Sequence, residues 1–166
     1  MQILEKELDN ELSLAENEEV VIQGFMDRYD VDYEEAKEIF EETKKFLELA
    51  SDMSQEGQSL FVDKPLLIID EMWHTFILHT KQYMQFCLGK FNRFIHHVPT
   101  SNKEKMALNE RLSTNPSLVL QEQEEKLKDQ YSRIYDKFGA DTLLKWYETW
   151  PTKYTPEYIG KIKKAV

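Results

Sequence analysis

Between Asp32 and Ala50 the residues Ala36, Ile39, Phe40, Thr43, Phe46, Leu47 and Ala50 recur at three- and four-residue steps. That spacing lines them along one face of an α-helix and does not suit a strand, where side chains alternate every two residues. Asp32 stands where it can cap the first turn, with Glu35 three residues on, a variant of the capping box. The same period returns in Val21, Ile22, Phe25, Met26 and Tyr29, and in Leu120, Leu127, Tyr131, Ile134, Tyr135 and Phe138. With only five Gly and five Pro the chain is short of the residues that tight β-turns need, and no strand alternation persists anywhere. The expected fold is therefore all-α, an irregular bundle of about five to seven helices. At 166 residues the chain is expected to form a single helical domain, 1–166, large enough to bury a substantial core.

Within that domain, residues 1–50 make up acidic N-terminal helices, with the residues before Glu18 helical or frayed. Residues 51–65, "SDMSQEGQSLFVDKP", read as a loop because Gly, Ser, Asp and Pro collect there. Residues 64–100 form a histidine-containing segment, in which one helix is expected from Pro65 to Leu88, ended by Gly89. "NRFIHHVPTSN" is irregular, since Pro99 disfavours helix in the residue before it. Residues 101–166 are C-terminal helices. Thr-Ser-Asn caps a short one carrying Met106, Leu108 and Leu112, and Asn115-Pro116 opens the next, which ends at Gly139. Asp141 caps a helix that stops before Pro151, and Thr155-Pro156 starts the last.

The formal charge is −10, and residues 1–50 hold sixteen Asp and Glu against five Lys and Arg. Such a surface repels phosphate backbones and anionic lipid headgroups, so neither nucleic acid nor a membrane is an expected partner. A protein with a basic surface suits it better. Lys161, Lys163 and Lys164 are too few to reverse this, and no apolar run approaches the roughly 18 residues of a membrane span. Cys87, the only cysteine, cannot form an internal disulfide, and "MQILEKELDNELSLAENEE" lacks the basic start and apolar run of a secretion signal. A reducing, cytoplasmic setting is expected.

All four histidines, and Cys87, fall within "DEMWHTFILHTKQYMQFCLGKFNRFIHH", Asp70 to His97. Histidine binds divalent metals and moves protons near neutral pH, so the clustering points to chemistry. On a straight helix Asp70 and His74 lie about 40° apart, whereas His79 falls near the opposite rim. A five-residue spacing of this kind rules out the zincin helix, in which two histidines four residues apart face the same way. What remains is a site with Asp70 and His74 on one side and His97 or His96, from the returning loop, on the other. The mixed carboxylate and imidazole set suits zinc or iron, with His79 or Cys87 as a further ligand, acid or base. Asp70 has an alternative role in accepting the second ring N–H of His74 and fixing its tautomer. His79 reads equally as a histidine satisfying a backbone carbonyl, Cys87 as a small buried hydrophobe, and Trp73, Phe76 and Tyr83 as core.

Three functions follow from these readings. One is a metal-binding helical domain. The second is a non-catalytic interaction or regulatory module whose histidine segment is structural. The third is metal-free acid–base chemistry by Asp70 and His74 with Cys87 as nucleophile, for which no oxyanion-hole or phosphate-binding glycine loop is visible.

The run Asp70, Trp73-His74, His79, Tyr83, Cys87, Gly89 and His97 before Pro99 resembles the signature of the glycine-rich domain-containing protein-like family, found in plant multidomain proteins and small bacterial proteins. The segments "DEMWHTFILHT", "QFC" and "FIHHVP" resemble the bacterial members most. The resemblance implies an α-helical domain in which Asp70, Trp73, His74, His79, Tyr83 and His97 hold the signature positions. It implies no established reaction, and the glycine-rich tail that names the plant proteins is missing here.

Overall fold

The structure, a computed structural model, describes residues 16–60, 62 and 64–165. The expectation for residues 1–15 lies outside them. The chain is all-α, and among the described residues no strand forms; the only bridge pairs Tyr29 with Lys163.

Helix α1 spans residues 16–28 and α2 spans Tyr33–Gln55. Asp32 caps α2, its carboxylate accepting the Glu35 backbone N–H at 2.9 Å. α2 runs on through the first residues of the expected loop, because Ser51 and Met53 are buried on its inner face. The chain leaves at Gly57, whose φ of 71° is a conformation glycine adopts without strain.

After a 3₁₀ turn at Lys64–Leu66, the helix expected as one piece proves to be two: α3, Leu67–Leu78, and α4, Thr80–Phe91. The break is at His79, with φ −85° and ψ 64°. Its ring Nδ1 donates to the Thr75 carbonyl at 2.8 Å, while its own backbone N–H is left 3.4 Å from the same oxygen. Thr75 in turn bonds back to the Glu71 carbonyl at 3.1 Å. Side chains competing for the helix carbonyls in this way open the ladder. The imidazole is accommodated by Gly24 of α1, where a Cβ would lie 2.3 Å from His79 Cε1. Gly89 does not end α4; Asn92 does, in the left-handed conformation at φ 53°, which Asn tolerates.

This break is what allows the chain to double back. On one straight helix, Phe91 would stand about 32 Å beyond Asp70. The six residues from there to His97 reach about 20 Å fully extended, too short to return. With the helix broken, α4 packs against α3 and the 93–98 segment runs back beside them.

Helix α5, Asn102–Thr114, begins with a complete capping box between Ser101 and Glu104. It buries none of its residues, and Met106 is exposed. In α6, Pro116–Phe138, Val119, Gln130 and Ile134 are buried, whereas Leu120 and Tyr135 of the expected stripe face solvent. Gly139, not Asp141, precedes α7, Ala140–Leu144, which continues through a π turn at Lys145–Thr149 into α8, Trp150–Lys153. Pro151 fails to stop it because the wider turn before it relieves the clash that the ring makes in a regular α-helix. Thr155 caps α9, Pro156–Ile162, by accepting the Tyr158 N–H at 3.2 Å.

The core lies where α2 crosses α3, with Phe40, Phe46, Met72, Trp73, Phe76 and Trp146 buried within it. One charge is enclosed there. Glu42, its side chain 4% exposed, accepts from Trp146 Nε1 at 2.8 Å, Lys45 Nζ at 3.0 Å and Lys145 Nζ at 3.1 Å, which offsets the cost of removing a carboxylate from water. The C-terminal segment docks on the end of α1 through Asp30 N–H to Ile162 O and Lys164 N–H to Arg28 O, at 2.7 and 2.8 Å.

Candidate metal centre

Asp70 lies in the first turn of α3 and His74 one turn later, so both project from the same side of the helix. The returning segment brings His97 to meet them. His97 Nε2 is 2.8 Å from Asp70 Oδ1, and His74 Nδ1 is 3.6 Å from Asp70 Oδ2, so each carboxylate oxygen faces a different ring. The His97 ring rests on Trp73, centroids 4.2 Å apart, and against His74 at 4.6 Å. One donor atom from each of Asp70, His74 and His97 lies within 4.8 Å of the others, so the group could hold a metal ion. Asp70 and His97 are partly buried and His74 is exposed. A bound cation would therefore be reachable from solvent on the His74 side.

The arrangement is tied down by a chain of hydrogen bonds behind it. Trp73 Nε1 donates to the Tyr83 hydroxyl at 3.0 Å, and that hydroxyl donates to the Ile95 carbonyl at 2.6 Å. Tyr83 of α4 thus fixes both the indole beneath His97 and the backbone two residues before it. Burial pushes the Tyr83 phenol well above the usual tyrosine range, so it stays protonated and able to donate. Arg93 adds a bond from Nη2 to the Ser51 carbonyl, holding the start of the segment to α2. Next to Asp70, Glu71 accepts from the buried Tyr29 hydroxyl and lies 3.8 Å from Lys163 Nζ. Burial, reinforced by Glu71, raises the Tyr29 phenol in the same way.

The remaining residues singled out from the sequence stand apart from this group. His96 is exposed, its ring 5.0 Å from that of Phe94. His79 forms the helix break, bound to Thr75 and packed on Gly24. Cys87 is fully buried near Tyr83 and Ile95, and burial pushes its thiol up, so it is held as the poorly nucleophilic thiol. Metal-free chemistry through Asp70 also takes a different form from the one expected, since His97 and not His74 is at hydrogen-bond distance from the carboxylate.

Tyr83 and Gly24 matter to the site, yet periodicity places Tyr83 in the core and gives Gly24 no role. The clue that existed was the reach of the chain: a straight helix from Asp70 to Leu88 is about 27 Å long, a distance the nine residues on to His97 cover only when almost fully extended, at about 30 Å.

No curated protein and no solved structure matches the chain. Among the described residues, no helix is long and apolar enough to cross a membrane. The profile of one family matches residues 16–149, a span that includes the whole Asp70, His74 and His97 group and the Trp73–Tyr83–Ile95 clamp. The chain belongs to the UCP032817-like family.

Proposed function

We propose that this domain binds one divalent metal ion, zinc or iron, through Asp70, His74 and His97. The observation that carries the reading is the convergence of their three donor atoms within 4.8 Å, from two turns of one helix and a segment more than twenty residues later. One carboxylate and two imidazoles form a donor set that both metals accept. Three protein donors leave coordination positions for exchangeable ligands, which is the arrangement of reactive rather than purely structural sites. Asp70 would bind with one oxygen, and Trp73 would fix the plane of the His97 ring as neighbours of metal ligands commonly do.

The test is elemental analysis of protein purified without an affinity tag, followed by calorimetric zinc titration of the parent and His74→Ala. The expected result is one ion per chain, with affinity falling at least tenfold in the variant, the loss typical when part of a metal's coordination environment is removed. Substoichiometric metal that His74→Ala leaves unchanged would overturn the reading.

A further inference from the structure

Helix α5 and the first half of α6 fold back on each other as a hairpin that adds little to the core. Across residues 102–129 Val119 alone is buried. The second half of α6, by contrast, buries Gln130 and Ile134 and is tied to the end of α2 through Arg133–Glu56 and Lys137–Asp52, at 2.7 and 2.8 Å. Within the hairpin, Arg111 Nη2 meets Glu122 Oε2 at 2.6 Å, and Leu108 and Val119 line one crevice between the helices. An isolated helix of about 12–15 residues is marginal in water, and an exposed ion pair adds little. These contacts alone leave α5 weakly held.

The hairpin is apolar where it meets water. Leu108 and Leu112 on α5 are four residues apart, and Leu120 and Leu127 on α6 are seven apart, so each pair lies along one face of its helix. Leu108 is 38% exposed and Leu120 60%, with Leu112 and Leu127 half-buried. Two hairpins with such faces close on one another as a four-helix bundle, each supplying the surface that the other lacks.

Charge selects the partner. Residues 102–129 hold five Lys and Arg against six Asp and Glu and are nearly neutral, in a chain of net charge −10. A basic protein is drawn to the acidic α1 and α2 rather than to this arm, whereas two copies, which repel each other elsewhere, can approach through it. The charges that the arm does carry are ordered: Glu122, Glu124 and Glu125 precede Lys126 and Lys128 along α6. Two copies crossing antiparallel set each acidic turn against the other's basic turn, the self-complementary arrangement of a twofold interface.

We propose that the α5–α6 arm is the interface of a twofold homodimer, closed over Leu108, Leu112, Leu120 and Leu127. The interface uses none of Asp70, His74 and His97, so it stands or falls apart from the metal reading.

The test is sedimentation velocity of the intact protein over a range of concentrations, repeated with Leu120→Glu and Met84→Glu. The parent is expected to be a dimer whose thermal midpoint rises with protein concentration. Leu120→Glu removes one leucine from each copy and should raise the dissociation constant at least about tenfold. Leu120 is largely exposed within one copy, so the circular dichroism spectrum and the zinc titration of the variant should match the parent. Met84, 49% exposed on α4 and outside the arm, serves as the control, and Met84→Glu should leave the dimer intact. A parent that is monomeric at every concentration, a dimer indifferent to Leu120→Glu, or one that Met84→Glu disrupts equally would overturn the proposal.

Discussion

Tyr83→Phe removes one oxygen and leaves the ring packed on Phe76 and Phe94, at centroid distances of 5.0 and 5.2 Å. That oxygen both accepts from Trp73 Nε1 and donates to Ile95 O. Trp73 and Ile95 are each 6% exposed, so one donor and one acceptor would be left unpaired away from water. Each such orphan costs about 1–3 kcal/mol; allowing for partial relief by local shifts, the pair costs about 2–4 kcal/mol. For a domain of this size that lowers the thermal midpoint by roughly 5–15 °C. Because Ile95 lies two residues before His97, the segment also loses the tie that sets the imidazole against Asp70, and zinc affinity should fall with the stability. Urea unfolding followed by circular dichroism gives the first quantity, and zinc titration well below the midpoint gives the second. A stability loss under about 1 kcal/mol with unchanged zinc affinity would show that the hydroxyl is not the clamp.

Gly24→Ala puts a methyl group where the His79 ring sits, 2.3 Å from Cε1. The helix-propensity gain of up to about 1 kcal/mol is outweighed by overpacking of about 1–3 kcal/mol, so the variant should be less stable by urea denaturation. In a His79→Ala background the clash is gone and the same substitution should stabilise; an unchanged sign would refute the packing argument. At high pH the buried phenols of Tyr29, Tyr83 and Tyr154 come into play, all held above the ordinary value of 10.0, first by burial. Their folded pKa values exceed the unfolded ones, so their contribution is complete below pH 10 and is lost as pH rises through the folded values. Unfolding free energy should therefore fall steeply above pH 10, and three tyrosinates should appear only with unfolding in the ultraviolet difference spectrum. Their titration near pH 10 in the folded protein would contradict the burial argument.

Much of the fold could be read because its causes are local. Asp32, Ser101, Asn115 and Thr155 each cap the helix that follows them, and each acts on an N–H three residues away. The α2 stripe could be read for the same reason, since a helix that buries one face writes that period into the chain. The break at His79 is different. Nothing in "TFILHT" forbids a helix, and the ring turns inward only because Gly24, fifty-five residues earlier, leaves space for it. Helix α5 misled in the opposite direction, as Met106 and Leu108 have the residue types of a core but meet no partner surface that buries them. At the site, the i, i+4 spacing put Asp70 beside His74, while the choice of His97 over His96 depended on Tyr83 gripping Ile95 and thereby setting which way successive side chains point.

Asp70 and His97 on their own can be explained without a metal. An imidazole N–H on a carboxylate, set over an indole, holds an extended segment to the helix beside it and satisfies both polar groups. His74 has no such explanation. Its Nδ1 is 3.6 Å from Asp70 Oδ2, beyond hydrogen-bond reach, and its ring is 45% exposed. A latch between Asp70 and His97 gains little from a second imidazole stacked against the first. A cation gives that ring a role, since it would draw the free lone pair and the second carboxylate oxygen to a common point. Tetrahedral coordination at about 2.1 Å sets donors roughly 3.4 Å apart, so Asp70 Oδ1 and His97 Nε2, 2.8 Å apart, would separate as the proton between them leaves, while any pair near the 4.8 Å limit would close. The closing movement would fall on His74, the member least restrained by packing. Substitution there accordingly separates the two explanations: the latch predicts that His74→Ala changes nothing, and the metal site predicts that it removes the ion while the Asp70–His97 bond and the fold remain.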